Sequence, residues 1–188
     1  MKPTISITDN MDIRYERSSS VDQLQKILDL QQRNLKSHVE PEEFNTEGFL
    51  TVNHTLDMLV RMQGECPHIL ARSGDKLAGY ALCMHPVFAD DIDVLRPMFR
   101  RIEKLIPKDK PYMVMGQICI DKPYRKKGVF RGLYEYMGSV LKPDYHLIIT
   151  EVDQQNVRSL NAHHSIGFKD LLVYESGGRI WHLIQWSL

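Results

Sequence analysis

The stretch "DKPYRKKGVFRGLYEYMG", Asp121–Gly138, runs three basic residues into a glycine and then into a segment of helical hydrophobic periodicity. The apolar run "YMVMGQICID", Tyr112–Asp121, precedes it and reads as a buried strand. Strand, glycine turn and helix start, in that order, make an anion site. The first N–H groups of a helix have no intrahelical acceptor, and the dipole adds about half a positive charge there. Gly128 lets a bulky anion approach the backbone closely. Arg125, Lys126 and Lys127 add full charges, so a pyrophosphate would be well served. Taken alone, the turn also reads as a solvated basic cap on an ordinary helix. "RKKGVFRG" is neither GxxxxGK[ST] nor GxGxxG, which argues against an ATP P-loop and a dinucleotide fingerprint.

Working outward, "DIRYER" alternates as a strand does, as does the segment before it. A serine cap opens a helix carrying Val21, Leu24, Ile27, Leu28 and Leu35 near one face. The loop "SHVEPEEFNTEGF" follows, then the helix "TLDMLVRMQGE". "HILARSGDKLAGYALCMH" reads as a hairpin turning at Ser73-Gly74-Asp75. "DIDVLRPMFRRIEKLI" reads as a helix, with Pro97 either disturbing its middle or marking its first turn. "YHLIITEV" is a short apolar strand and "NVRSLNAHHSIG" a helix ending at Gly167. "FKDLLVYESGGRIWHLIQWSL" is a final hairpin. The order β-α-α-β-β-α-β-α-β-α-β-β predicts an α/β fold with a mixed sheet and helices on both faces. With 188 residues and no linker or repeat, residues 1–188 are expected to form a single domain.

Composition narrows the function classes. Lysine and arginine total 24 and aspartate and glutamate 24, so there is no global attraction to nucleic acid or an anionic membrane. No apolar run approaches the ~20 residues of a membrane span, and the first residues carry no apolar signal core. The 3 cysteines, Cys66, Cys83 and Cys119, are odd in number and widely spaced. They suggest neither a disulfide framework nor a metal site, and a reducing, cytoplasmic compartment is expected.

A second constellation sharpens the first. In "TEVDQQNVRSLNAHHSIGF", Asn156, Ser159, His163 and Gly167-Phe168 fall at offsets 0, 3, 7, 11 and 12. The first three share one helical face, a polar row suited to a ligand wall. The two motifs together resemble the GCN5-related N-acetyltransferase (GNAT) superfamily. Its Q/R-x-x-G-x-G/A signature matches Arg125 to Val129 and departs at its last position, Phe130. Its later motif, N-x-x-A/S-x-x-x-Y-x-x-x-G-F, matches at Asn156, Ser159, Gly167 and Phe168, with His163 at the tyrosine position.

The resemblance implies a GNAT fold: a mixed, mostly antiparallel sheet of about seven strands flanked by helices. It implies acetyl-CoA as cosubstrate and direct transfer of the acetyl group to an amine. Ile118, Cys119 and Ile120 would offer main-chain groups to the pantetheine arm and the oxyanion. Arg125, Lys126, Lys127, Gly128, Val129, Phe130 and Arg131 would cradle the pyrophosphate, with Asn156 and Ser159 on the wall. Cys119 is not expected to act as a nucleophile.

An alkyl amine is mostly protonated at neutral pH, so direct transfer needs a base. Glu151, which ends a strand five residues before Asn156, fits that role, and N-terminal acetylases of ribosomal proteins carry a glutamate at the same offset. The other reading of Glu151 is a strand-end carboxylate in an ion pair; Asp153 and Glu47 are alternative bases. His163 is either the acid that protonates the departing thiolate or a hydrogen-bonding wall. His164 lies about 100° away on the helix, so the pair makes no metal site. Glu40, Glu42, Glu43 and Glu47 form either a carboxylate rim for a cationic amine or a solvated loop. Phe44 and Phe49 lie in the same loop. The resemblance leaves the acceptor open among a small molecule, a peptide N-terminus and a lysine, and allows a homodimer formed through "GGRIWHLIQWSL". A non-catalytic acetyl-CoA-binding regulatory module is the alternative function.

Overall fold

A computed structural model of the chain describes residues 12–38 and 48–188. The alternating segment before residue 12, Phe44, and the carboxylates Glu40, Glu42, Glu43 and Glu47 lie outside these residues.

Strand β1, Arg14–Arg17, leads into helix α1, Val21–Gln32. Ser20 caps α1: its hydroxyl accepts from the Gln23 N–H, and the Gln23 side chain accepts from the Ser20 N–H. Helix α2, Leu56–Glu65, is capped by Thr55 in the same manner on one side only. The hairpin β2, Ile69–Ser73, and β3, Lys76–Met84, turns where expected. A 3-10 turn, Asp93–Leu95, precedes helix α3, Arg96–Leu105. Pro97 therefore sits in the first turn of α3, where its missing N–H breaks no helical bond. Strand β4, Tyr112–Ile120, is followed by a 3-10 turn at Lys122–Tyr124 and then helix α4, Val129–Leu141. Strand β5, Leu147–Asp153, helix α5, Val157–Ser165, and the hairpin β6, Lys169–Ser176, and β7, Arg179–Ser187, complete the order.

The seven strands form one sheet in the order β1-β2-β3-β4-β5-β7-β6. Every neighbouring pair is antiparallel except β4 and β5. Helices α1, α2 and α3 bury Leu24, Ile27, Leu59, Met62, Phe99 and Ile102 on one face. Helices α4 and α5 cover the other with Leu133, Tyr134, Met137 and their neighbours. The mixed, mostly antiparallel sheet with helices on both faces agrees with the expectation.

The β4–β5 junction positions the site. Only Tyr112, Met113 and Val114 of β4 pair with β5, at Leu147, Ile148 and Ile149. Beyond Val114 the strands part. A register shift against β3 between Ala81 and Cys83 marks a bulge at the same level. Such bulges bend a strand and re-aim it. The sheet thus opens into a V whose arms are Met115–Ile120 and Thr150–Asp153.

The segment "GGRIWHLIQWSL", through which the resemblance allows a homodimer, offers no free strand edge. That segment is β7, which is paired on both sides, to β5 and to β6. The sheet's free edge at this end is β6. Among the described residues no helix is long and apolar enough to cross a membrane.

Candidate active site

The V holds a groove. Its larger part, about 340 Å³, runs along Ile118, Cys119 and Ile120 to the start of α4. There the chain passes through two left-handed residues, Lys126 at φ 61° and Gly128 at φ 80°. Gly128 is the N-cap of α4, and among the described residues no side chain caps that end. The first-turn N–H groups of Val129, Phe130 and Arg131 thus face the groove as an open anion site. A non-glycine residue in the left-handed region is strained, and such strain gathers at ligand clamps.

The individual cradle residues differ from one another. Lys126, Gly128, Val129, Phe130 and Arg131 all line the groove. Arg125 also lines it, but its guanidinium braces the turn: Nε donates to the Ile120 carbonyl at 3.0 Å and Nη2 to Asn34 Oδ1 at 2.7 Å. Lys127 is exposed and does not line the groove, so its contribution is long-range charge only. Phe130, the departure from the motif, packs edge-on against Tyr134 and His163, with centroids 5.3 and 5.1 Å away. An aromatic cluster thus takes in the bulk that the pattern's glycine or alanine would not have.

The groove continues into a narrower cleft of about 80 Å³ that reaches Glu151 and Asp153. Phe49, Leu50, Ile118, Asn156 and Ser159 line both parts. Asn156 is a structural member of this wall. Its Oδ1 accepts from the Ser159 N–H and its Nδ2 donates to the Phe49 carbonyl, capping α5 and tying it to the chain at Phe49. Ser159 keeps its hydroxyl at the junction of the two parts.

His163 is 1% exposed. Its Nδ1 lies 2.7 Å from the Ser159 carbonyl, which can only accept, so Nδ1 carries the proton. Nε2 then accepts from the Tyr134 hydroxyl at 2.7 Å. Burial pushes the imidazole down to about 4, so it is neutral near pH 7. Both ring nitrogens are occupied. The geometry therefore favours the wall role over the acid role.

Glu151 and Asp153 occupy the same side of β5, which also carries Leu147 and Ile149. Burial raises the Glu151 carboxyl to about 7, against the lowering effects of a hydrogen bond from Tyr174 and the charge of Arg101. Asp153 is 3% exposed, with Oδ2 3.7 Å from Arg179 and Oδ1 accepting from the Gln155 N–H. Glu151 is thus the carboxyl poised to exchange a proton near neutrality, and Asp153 the one held in an ion pair. The Cys119 thiol is buried and pushed up to about 12, chiefly by that burial, so no thiolate forms near pH 7.

Four residues at the site carry no local sequence signal. Gln117 accepts from the Tyr80 hydroxyl at 2.6 Å and donates to the Val52 carbonyl at 2.7 Å, tying β4 to the wall opposite β5. Asn34 reaches Arg125 across 91 residues of chain. Tyr174 and Arg101 stand beside Glu151. Each is a tertiary meeting of ordinary polar residues.

A sequence profile of the Acetyltransferase (GNAT) family matches residues 24–168. No curated protein sequence matches at a significant level. The ribosomal-protein-S18-alanine N-acetyltransferase from Escherichia coli superposes with a TM-score of 0.62 at 15% identity, covering 93% of each chain. Ard1 from Thermoplasma volcanium gives 0.65 at 12% identity, covering 94% of this chain and 97% of its own. A putative acetyltransferase from Salmonella typhimurium, solved with its cofactor acetyl-CoA, gives 0.61 at 13% identity, covering 94% of both. At these identities the superpositions speak for the fold. The profile, matching most of the chain, speaks for the family, and the chain belongs to the acetyltransferase (GNAT) family.

Proposed function

We propose that the protein transfers an acetyl group directly from acetyl-CoA to a primary amine. The observation that carries this reading is the continuous groove. One part ends on an uncapped helix N-terminus suited to a pyrophosphate, and the other on a buried carboxyl that titrates near neutrality. The Salmonella relative's acetyl-CoA supports the same cosubstrate here.

In this reading the α4 N-terminus and Lys126 hold the pyrophosphate, and the arm of β4 that lacks a partner on its β5 side holds the pantetheine. Glu151 takes one proton from the ammonium of the acceptor. The nitrogen attacks the thioester carbon, and main-chain N–H groups at Ile118–Cys119 stabilise the oxyanion. The C–S bond breaks. The nitrogen's remaining surplus proton ends on the CoA thiol, and the Glu151 proton returns to water. The Ser159 hydroxyl, at the junction of the two parts, is the protein donor we place nearest the thiolate. His163 holds that corner and gives no proton.

A panel of polyamines, amino acids, lysine peptides and peptides with free N-termini, read by release of CoA thiol, tests the reaction and names the acceptor class. Affinity for acetyl-CoA weaker than millimolar would overturn the reading. One observation favours a non-catalytic acetyl-CoA-binding module: both nitrogens of His163 are spent inside the protein. Tight acetyl-CoA binding without thiol release from any amine would select that module.

A further inference from the structure

Glu151 does not stand alone at the acceptor end of the groove. Strands β5 and β6 are not neighbours; β7 lies between them. Glu151 pairs with Leu183 of β7, and Leu183 pairs in turn with Leu172 of β6. Tyr174, two residues along β6 from Leu172, sends its side chain over β7, and its hydroxyl donates to Glu151 Oε2 in a short hydrogen bond. Two strand spacings are about 9–10 Å, so only a long, rigid side chain with a polar tip bridges that gap.

The Tyr174 ring is itself held. The Arg101 guanidinium of α3 stacks on it, 3.8 Å from the centroid, and Arg101 Nη1 is fixed by the Pro97 carbonyl at 2.8 Å. Arginine on an aromatic face is attracted by the ring quadrupole. The chain α3–β6–β5 therefore ends on one oxygen of one carboxyl, and Oε2 is committed. Oε1 is the oxygen left to meet an acceptor's ammonium.

Resting on the proposed role of Glu151 as base, the geometry points to Tyr174 as its positioning residue, with Arg101 as the clamp that fixes Tyr174. Tyr174 aims the carboxyl and keeps it ionised at a pH where its burial would otherwise neutralise it. Among the described residues the charged and titratable groups around Glu151 are few, and His163 of α5, buried and neutral, lines the same cleft. Tyr174 approaches from β6 and Arg101 from α3. Asp153, on the same side of β5, is paired with Arg179 of β7. Leu183 is the β7 residue opposite Glu151, and Thr51 and Val52 on the facing wall do not titrate.

The sign follows from the hydrogen bond. A donor to the charged form of a carboxyl lowers its pKa, so removing the donor raises it. Tyr174→Phe keeps the ring and its stack and removes only the hydroxyl. The first readout needs no acceptor. In carbon-13 NMR of the full chain with labelled glutamate carboxyls, Glu151 is assigned by the signal missing in Glu151→Gln. Its midpoint should rise in Tyr174→Phe. In thiol release, with any panel amine that turns over, the acid limb should move up with it. A rise of one unit gives about a tenfold loss on that limb and little on the plateau. Arg101→Met, which removes the clamp's charge, should shift Glu151 in the same direction and serves if Tyr174→Phe does not fold.

An unmoved Glu151 midpoint in the folded variant overturns the inference, and so does a loss of turnover equal at every pH. Transfer that survives in Glu151→Gln overturns instead the base role. The NMR midpoint still decides whether Tyr174 controls the carboxyl.

Discussion

The Tyr134 hydroxyl meets His163 Nε2 at 2.7 Å, inside a cluster where both rings are buried. Helix α4, which offers its N-terminus to the cofactor groove, is thereby joined to helix α5, which walls it. Tyr134→Phe leaves a buried ring nitrogen without a donor. Such a group costs about 1–3 kcal/mol. The expected result is a lower urea midpoint with acetyl-CoA affinity little changed; an unaltered midpoint would show that the bond does not support the fold.

Acid should unfold the protein through its buried histidines. His54, His68 and His163 are each pushed down to about 4 by burial. Between pH 6.5 and 4 the unfolded chain binds protons at these sites and the folded chain does not. Stability is therefore present above this window and falls as pH drops through it, by up to ~1.4 kcal/mol per pH unit for each histidine. Glu151 acts oppositely: its raised pKa favours the folded state below the ordinary carboxyl value and loses that effect as pH rises through about 7. One group against three leaves a net loss toward acid. Urea midpoints at pH 7, 6 and 5 check this, and a flat series would refute it.

Glu151→Gln keeps the shape of the site and removes the proposed base. Thiol release should fall by about 10²-fold or more, with acetyl-CoA binding retained. In the wild type, kcat/KM should rise with pH through about 7, the value to which burial raises this carboxyl. Turnover that is level from pH 5.5 to 8.5 would count against the assignment.

Gly128 and Gly132 predict opposite kinds of damage. Gly128 has φ 80° and open space where a Cβ would lie. Gly128→Ala should cost about 1–2 kcal/mol of backbone strain and raise the acetyl-CoA Kd, because the new methyl stands at the cradle. At Gly132 a Cβ would collide with the Tyr15 ring and hydroxyl. Gly132→Ala should therefore lower the Tm by displacing β1, while residual folded protein keeps its affinity for acetyl-CoA. Equal effects of the two substitutions on Kd would sink this distinction.

The Asn34–Arg125 bond should appear as a coupling. Asn34→Ala and Arg125→Ala each remove the same 2.7 Å contact, so the double variant should be less destabilised than the two losses added. Hydrogen bonds to a charged group are worth about 1.5–3 kcal/mol. Strict additivity in urea unfolding would mean that the contact contributes nothing.

Much of the fold was legible because its signals are local. The serine cap announces α1, the apolar runs flanking Ser73–Asp75 announce a hairpin, and Gly128 marks where β4 gives way to α4. Asn156 was legible as a site residue, but its spacing reads the same for a ligand wall and for a helix cap, and it is the cap. His163 shares the ambiguity: only its partners, Tyr134 and the Ser159 carbonyl, reveal a neutral ring. Tyr174 and Arg101 could not be read at all. Their meeting with Glu151 depends on β7 lying between β5 and β6, a long-range choice of neighbours that no spacing in the chain encodes.

That strand order has a consequence for how the fold comes together. β7, nine residues long and the last of the seven strands in chain order, joins β6 to the rest of the sheet. Until it docks, Tyr174 has no path to Glu151, and the arm of β5 that carries the carboxyl lacks its antiparallel neighbour. The helix that follows Gly128 rests on the same strand, because Tyr134 packs edge-on against Trp186. Docking of the last hairpin thus supports the helix behind Gly128 and brings Tyr174 to Glu151 in the same step.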